Sequence, residues 1–164
     1  MLIWNRTKGR ALIRVLFVCL GNICRSPMAE AVFRHLVEKA GLEGEIEADS
    51  AGTGKWHLGE RPHTGTRSIL QSHGIDYDHR ARLLTLQDLN RFDYVVTMDG
   101  HNLRDVSALG SGRAKIVPLM SYAPEAEFTE VPDPYYDGRF ELVHELVTKA
   151  SKGLLADIRR EHGL

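Results

Sequence analysis

The sequence has only two cysteines among its 164 residues, Cys19 and Cys24. So few thiols exclude a disulfide scaffold and are typical of a protein that works in a reducing compartment. No apolar run approaches the length of a membrane span, and the opening residues, MLIWNRTKGRALIR, lack the uninterrupted apolar core of a signal peptide. We therefore expect a cytoplasmic protein without a membrane partner.

The sequence also lacks an excess of either charge, since its formal net charge is -1. No general attraction to nucleic acid is expected, and any anion site must be built locally. HELVT at 144–148 carries Thr148 where a zinc motif needs a second histidine, and Trp56 follows GTGK where a nucleotide-binding loop needs Ser or Thr. The sequence thus predicts no nucleic-acid partner, no metal and no cofactor.

Apolar runs of strand type alternate with helical patterns along the chain. Strands are predicted at 13–18, 46–53, 94–98 and 114–120. Helices are predicted at 27–40, 64–73, 84–92, 100–109 and 139–162, with a loop at 131–138. This alternation is typical of a three-layer α/β fold with a four-stranded parallel sheet flanked by helices. We expect one domain over 13–164, preceded by a disordered N-terminal extension over 1–12.

The stretch VLFVCLGNICRSPMAEAVF, residues 15–33, places Cys19 at the end of a buried strand and Arg25 at the mouth of a helix. Residues 20–25 contain no proline, so each keeps a backbone N–H that can point at an anion near the helix N-terminus. Arg25 adds a planar charged fork that suits two phosphate oxygens. The predicted phosphate-binding residues are Leu20, Gly21, Asn22, Ile23, Cys24 and Arg25.

The residues inside and after this loop support the same interpretation. Gly21 and Asn22 tolerate the left-handed backbone that a tight wrap needs. Ser26 is the predicted N-cap of the helix, and Pro27 its first residue. A helix N-terminus and an arginine favour a thiolate at Cys19, the form that acts as a nucleophile. A buried cysteine is often only a packing residue, but the combination of strand, loop and helix start favours catalysis.

These residues resemble the signature loop of the low-molecular-weight protein tyrosine phosphatases. The resemblance continues through DSAGTGKWHLGERP, SHGIDYDHRAR, YVVTMDGHN and PDPYYD, and so covers nearly the whole chain from Ile13. It implies hydrolysis of phosphotyrosine in proteins through a phosphocysteine at Cys19, without a metal. It also implies phosphotyrosine proteins as partners and phosphate and other oxyanions as inhibitors.

The leaving oxygen of a phosphate ester needs a proton donor, and the resemblance assigns this general acid to Asp133 in VPDPYYDG. An Asp-Pro pair that merely starts a turn is the alternative. Asp137 is the rival carboxylate, but it lacks the motif match. Ser26 is expected to stabilise the Cys19 thiolate when it leaves the phosphocysteine.

The resemblance also suggests supporting and lining residues. Asn22 is expected to hold the loop through its side chain, braced by Ser50 and His73, although ordinary surface or capping polarity would explain the last two equally well. Trp56, Tyr135 and Tyr136 match the walls that hold a phenyl ring. Tyr136 is either a rim residue or a phosphorylation target, and the sequence does not separate these.

Two further functions share some of these features. An arsenate reductase would need additional cysteines for its thiol relay, and none follows Cys24. A non-catalytic phosphotyrosine-binding module would be expected to lack Cys19 or Asp133, and both are present. The resemblance further implies that Cys19 and Cys24 form a reversible disulfide on oxidation, and the alternative is that Cys24 only packs beside the loop.

Overall fold

The computed structural model describes residues 11–164. Within them four strands run Ile13–Cys19 (β1), Ile46–Gly52 (β2), Tyr94–Thr97 (β3) and Lys115–Pro118 (β4). Six helices run Arg25–Lys39 (α1), Thr64–Ser72 (α2), Asp88–Arg91 (α3), Gly100–Leu109 (α4), Pro134–Asp137 (α5) and Phe140–His162 (α6).

The strands form one parallel sheet in the order β2-β1-β3-β4. The predicted four-stranded parallel sheet flanked by helices is therefore confirmed. Because all strands run the same way, their carboxyl ends meet at one edge of the sheet, where parallel α/β folds bind ligands. Cys19 lies at this edge, paired with Gly52 of β2.

The sheet is covered on both faces because successive side chains of β1 point in opposite directions. Val15 and Phe17 belong to the larger apolar cluster, which α1 and α6 complete. Leu16 and Val18 belong to a smaller cluster on the other face, together with Leu89 from α3 and Val106 from α4. The buried strand β1 thus holds the loop that follows it between two packed layers.

Helix α1 begins two residues earlier than predicted. Cys24 takes the N-cap position and offers no side-chain cap. The prediction that Ser26 is the N-cap, with Pro27 as first residue, is wrong. The hydroxyl of Ser26 is fully buried and contacts the sulfur of Cys19, so it does not cap the helix.

The segment predicted as a loop at 131–138 contains the one-turn helix α5. The Asp133 carboxylate accepts a hydrogen bond from the N–H of Tyr135, Pro134 is the first helical residue, and Gly138 ends the turn with φ 73. These are ordinary helix start and stop signals, set too close together to have suggested a helix. Strand β4 is also shorter than predicted, because a 3-10 turn at Leu119–Tyr122 follows Pro118.

No helix in the part of the chain that the structure describes is long and apolar enough to cross a membrane. Strand β1 begins at Ile13, the first residue of the strand predicted at 13–18. The predicted extension over 1–12 lies, except for its last two residues, outside the described range.

Candidate active site

The loop between β1 and α1 wraps tightly enough to need specific residues at two points. Asn22 has φ 56, the left-handed backbone that was predicted for it, whereas Gly21 does not share it. A β-carbon at Gly21 would lie 3.0 Å from Cδ2 of His57, so a larger residue there requires this imidazole to shift. A β-carbon at Gly52 would lie 2.8 Å from the carbonyl oxygen of Leu20, so the neighbouring strand also makes room for the loop.

The loop forms the floor of a pocket of about 390 Å³ at the carboxyl edge of the sheet. Five of its six predicted phosphate-binding residues line this pocket, and Asn22 instead points behind the loop. The lining residues are Cys19, Leu20, Gly21, Ile23, Cys24, Arg25, Trp56, His57, Asp133, Tyr135 and Tyr136. Chain segments far apart in sequence therefore converge around Cys19 and Arg25.

The sulfur of Cys19 contacts a buried hydroxyl. Ser26 Oγ lies 3.0 Å from Cys19 Sγ, and either atom can donate the hydrogen in this contact. The same oxygen accepts a hydrogen bond from Asn22 Nδ2 at 2.8 Å, and the carbonyl oxygen of Ala51, another acceptor for the Ser26 hydrogen, lies at 3.5 Å. A hydroxyl that donates to sulfur stabilises the thiolate form.

Asn22 is itself held by a buried network behind the loop. Its Nδ2 also donates to Ser50 Oγ at 3.0 Å, and Ser50 donates to Glu30 Oε1 at 2.8 Å. Its Oδ1 accepts from His79 Nε2 at 2.8 Å and from the N–H of Arg82 at 3.0 Å. An amide oxygen can only accept, so Nε2 of His79 carries a proton.

The prediction that His73 braces Asn22 is wrong, because His79 occupies that place. His73 caps the C-terminus of α2, stacks on His144 at 3.8 Å between ring centroids, and contacts Glu141 of α6. The chain after α2 then passes beside the phosphate-binding loop and carries His79 to it. Ser50 does contact Asn22, as predicted.

Arg25 is buried and fixed by two acceptors. Its Nη1 donates to Asp99 Oδ2 at 2.6 Å and to the carbonyl oxygen of Val131 at 3.0 Å. Burial alone would lower the pKa of Arg25, but Cys19 and Asp99 outweigh it and raise that pKa above its ordinary value. The guanidinium is therefore permanently charged and held in one orientation.

Asp99 is a functional residue that the sequence interpretation missed. It is the N-cap of α4, and its carboxylate accepts from the N–H of Asn102 as well as from Arg25. Burial alone would raise the pKa of Asp99, but these hydrogen bonds hold it below the ordinary value. One signal could have found it: Asp99 lies two residues after the end of β3, at the same sheet edge as Cys19.

Asp133 lies beside Arg25 at the pocket. Its Oδ2 is 3.6 Å from Arg25 Nη2, and its Oδ1 caps α5. Asp137, the rival carboxylate, is not among the lining residues, and it accepts hydrogen bonds from the backbone and side chain of Arg139, which hold its pKa low. The geometry therefore favours Asp133 as the proton donor.

Aromatic side chains stand around the mouth of the pocket. Trp56 and Tyr136 expose 74% and 80% of their surface and Tyr135 about half, so a substrate can cover them. Tyr135 also contacts His57, with ring centroids 5.9 Å apart. His57, which pairs with Glu60, is a wall residue that the sequence interpretation did not name, although it follows Trp56 directly.

Cys24 shares the pocket with Cys19, and both are free and buried. Burial, followed by the charges of Cys19 and Asp133, raises the pKa of the Cys24 thiol to about 12, against a smaller opposing effect of Arg25. Cys24 is therefore a protonated thiol at neutral pH.

Two groups of side chains among the described residues bring three metal-ligating atoms within 4.8 Å of one another. One consists of Glu30, Asp49 and His79, but both oxygens of Glu30 already accept hydrogen bonds in the network behind the loop. The other consists of His73, Glu141 and His144, away from the pocket.

Comparison with known proteins gives a consistent result. A family model described as low molecular weight phosphotyrosine protein phosphatase matches residues 14–163. The low molecular weight protein-tyrosine-phosphatase YfkJ of Bacillus subtilis is 49% identical over 156 residues, 93% of this chain and 100% of its own. The pig low molecular weight phosphotyrosine protein phosphatase is 42% identical, covering 88% of this chain and 95% of its own.

Solved structures agree with these relatives. The crystal structure of YfkJ superposes with a TM-score of 0.90 at 48% identity and covers 93% of this chain and 98% of its own. A protein tyrosine phosphatase from Entamoeba histolytica, solved with Hepes in the active site, gives a TM-score of 0.82 at 33% identity and covers 92% of this chain and 98% of its own.

Proposed function

Because the chain belongs to the low molecular weight phosphotyrosine protein phosphatase family, we propose that it hydrolyses protein phosphotyrosine with Cys19, Arg25, Asp133 and Ser26 in the roles set out below. One observation supports this assignment of roles: three groups lie together at one pocket. The Cys19 thiol lies at its floor, the Arg25 guanidinium beside it, and the Asp133 carboxylate 3.6 Å from that guanidinium.

In the first step the Cys19 thiolate attacks phosphorus, and the bond from phosphorus to the phenolic oxygen breaks. The backbone N–H groups of 20–25 and the fork of Arg25 hold the three other oxygens. Asp133 gives its proton to the leaving phenolate.

In the second step water attacks the phosphocysteine and the sulfur leaves. Asp133, now ionised, takes a proton from that water and regains its acid form. Ser26 donates its hydrogen to the departing thiolate, an assignment that its 3.0 Å contact with Cys19 supports. The products are inorganic phosphate and free enzyme, so no cofactor is consumed.

The aromatic rim supports a preference for phosphotyrosine. A phenyl ring standing on the phosphate would pass between Trp56 and Tyr135, which offer flat apolar faces. The side chain of phosphoserine is shorter and would not bring its phosphorus to the buried sulfur. We accordingly propose phosphotyrosine proteins as substrates and phosphate and related oxyanions as competitive inhibitors, in line with the Hepes molecule in the amoebal relative's active site.

We further propose that residues 13–164 act as a single phosphatase domain in a reducing compartment, the cytoplasm. Two free cysteines in a catalytic pocket support this, because such thiols need reducing surroundings to stay active. We propose no role for a metal ion or a nucleic acid in the phosphatase reaction.

The test is steady-state hydrolysis of one peptide carrying either phosphotyrosine or phosphoserine. Wild type should release phosphate from the first peptide much faster, and Cys19→Ser should release none, because a serine hydroxyl does not ionise at working pH. Cys24→Ser is the matched control, since it makes the same change in the same loop without removing the nucleophile. Turnover by a folded Cys19→Ser protein, with folding checked by circular dichroism, would contradict the assignment.

A further inference from the structure

The C-terminus of α2 and the first turns of α6 bring two imidazoles and a carboxylate together, outside the pocket. His73 Nε2 lies 3.1 Å from Glu141 Oε1. The rings of His73 and His144 are stacked, with centroids 3.8 Å apart and an angle of 16° between their planes. One ligand atom from each of the three residues falls within 4.8 Å of the others.

The donor set is one that late transition metals prefer. Two neutral imidazole nitrogens and one carboxylate oxygen form a complete three-ligand set for Zn²⁺, with a fourth position left for water. Glu141 would supply the negative charge.

The sequence conceals this arrangement because the third ligand comes from another helix. Glu141 and His144 are three residues apart on α6, where side chains share one face. A metal motif in which both histidines lie on one helix needs a second histidine at 148, and the chain has Thr148 there. His73, 68 residues before Glu141, supplies the missing imidazole through the packing of α2 on α6.

A modest movement would complete the coordination. Ligand atoms on one tetrahedral zinc ion stand about 3.3 Å apart, given bonds of about 2.0 to 2.1 Å. Parallel stacked rings cannot both aim in-plane lone pairs at one ion, so one ring must turn. The side chain of His73 is 39% exposed, and its terminal torsion has a broad energy profile, so the ring can turn at little cost.

We propose that His73, Glu141 and His144 form a binding site for a divalent late transition-metal ion, with Zn²⁺ the favoured ion, that ties the end of α2 to the start of α6. At its other end α2 already meets α6, where the N-cap His63 stacks on Phe140 with ring centroids 4.9 Å apart. A bound ion would hold α2 against α6 at this second end as well. The site is structural and lies outside the proposed phosphatase chemistry.

The experiment uses the full chain without a purification tag, stripped with EDTA and kept in phosphate-free buffer. Calorimetric titration with Zn²⁺ should give one ion per chain at this site. The melting temperature should rise by about 5 to 10 °C when free Zn²⁺ exceeds its Kd a hundredfold, since an ion that binds only the folded state stabilises it by mass action.

Two exposed ligands allow the site to be removed without opening the core. His73→Ala should weaken zinc binding by at least tenfold and abolish the rise in melting temperature, and Glu141→Gln, which keeps the shape but loses the charge, should also weaken it. His101→Ala is the matched control, because it removes an exposed histidine on α4 and should leave the zinc affinity unchanged.

Zinc could instead bind the pocket thiols, so Co²⁺ is used as a second probe. Cobalt on nitrogen and oxygen ligands gives visible bands without the intense near-ultraviolet charge-transfer band of a cobalt thiolate. We expect a wild-type spectrum without the charge-transfer band. Cys19→Ser should show the same visible bands at the same intensity. Equal zinc affinity of wild type and His73→Ala, or a cobalt spectrum due only to thiolate, would overturn the proposal.

Discussion

The side-chain oxygen of Asn22 lies 2.8 Å from Nε2 of His79, and this contact fixes the left-handed turn at the centre of the phosphate-binding loop. A left-handed backbone is costly for any residue with a β-carbon, and asparagine adopts it when its side chain is well bonded. The orientation of Asn22 in turn sets the direction of the hydrogen bonds to Ser26 and so to the sulfur of Cys19.

We therefore predict that His79→Ala lowers kcat/KM for an aryl phosphate by about tenfold, the effect of one lost buried hydrogen bond. Because the loop itself loosens, inorganic phosphate should also inhibit the variant more weakly than wild type. Both quantities are obtained from steady-state kinetics at fixed ionic strength.

Two controls separate positioning from general damage. His79→Gln offers an amide N–H in nearly the same place and should recover much of the lost activity. His73→Ala removes the histidine that packs on α6, and without added metal its turnover should match wild type. A larger loss in His73→Ala than in His79→Ala would reverse this assignment.

Asp99 holds Arg25 through a 2.6 Å hydrogen bond, and its removal should release the guanidinium. Asp99→Ala is expected to lower kcat/KM by about ten- to a hundredfold, the range for a hydrogen bond between charged groups. Asp99→Asn keeps one of the two acceptor oxygens, enough for either Arg25 or the helix cap, so it should lose less. Equal rates for wild type and Asp99→Ala would show that Arg25 needs no such support.

The same carboxylate makes stability depend on pH. The pKa of Asp99 is lower in the folded chain than its ordinary value of 3.8, so ionised Asp99 stabilises the fold above that pH. This stabilisation is lost as the pH falls through the folded-state pKa. The difference in free energy of unfolding between wild type and Asp99→Asn, measured with urea, should therefore shrink as the pH is lowered from 6 toward 3.

The sequence was most informative where function depends on neighbours along the chain. β1, its loop and α1 are continuous in sequence, so a buried strand ending at Cys19 and a helix opening near Arg25 could be predicted directly. The residues that support the loop could not be predicted in this way, because Asp99 lies 74 residues from Arg25 and His79 lies 57 residues from Asn22. Contacts of this kind depend on how separate segments pack.

Ser26 illustrates why residue type alone can mislead. Ser-Pro at a helix start is the usual signal for a capping serine, and it led to a wrong helix boundary. The hydroxyl instead turns inward because the buried sulfur of Cys19 and the amide of Asn22 both need a partner there. The catalytic interpretation of Ser26 depended on the family resemblance and stays a prediction to be tested.

Asp133 is expected to matter most for substrates with poor leaving groups. Asp133→Ala should slow hydrolysis of phosphotyrosine by about a hundred- to ten-thousandfold, the usual range for general acid catalysis. It should slow para-nitrophenyl phosphate less, because nitrophenolate leaves without a proton. The measurement compares kcat for the two substrates in the same preparation.

Asp137→Ala is the matched control for this substitution. Its carboxylate bonds Arg139 rather than facing the pocket, so both substrates should react almost as with wild type. An equal loss for both leaving groups in Asp133→Ala would remove Asp133 from the role of acid.

Cys24 is either a disulfide partner of Cys19 or a packing residue beside the loop. Oxidation of the protein distinguishes these two roles. Peroxide converts a thiolate to a sulfenic acid, and a second thiol can then displace water to form a disulfide. Burial and the charge of Cys19 raise the pKa of Cys24 to about 12, so Cys24 is a poor nucleophile while Cys19 is ionised. Oxidation of Cys19 to the uncharged sulfenic acid removes the second of these causes and favours attack by Cys24.

We therefore predict that peroxide inactivates wild type and that dithiothreitol restores it. Cys24→Ser should be active and lose activity in the same way, but it should recover much less, because its sulfenic acid proceeds to the irreversible sulfinic acid. Mass spectrometry of the oxidised wild type should detect a Cys19–Cys24 link. Equal recovery of both proteins with no such link would mean that Cys24 only packs beside the loop.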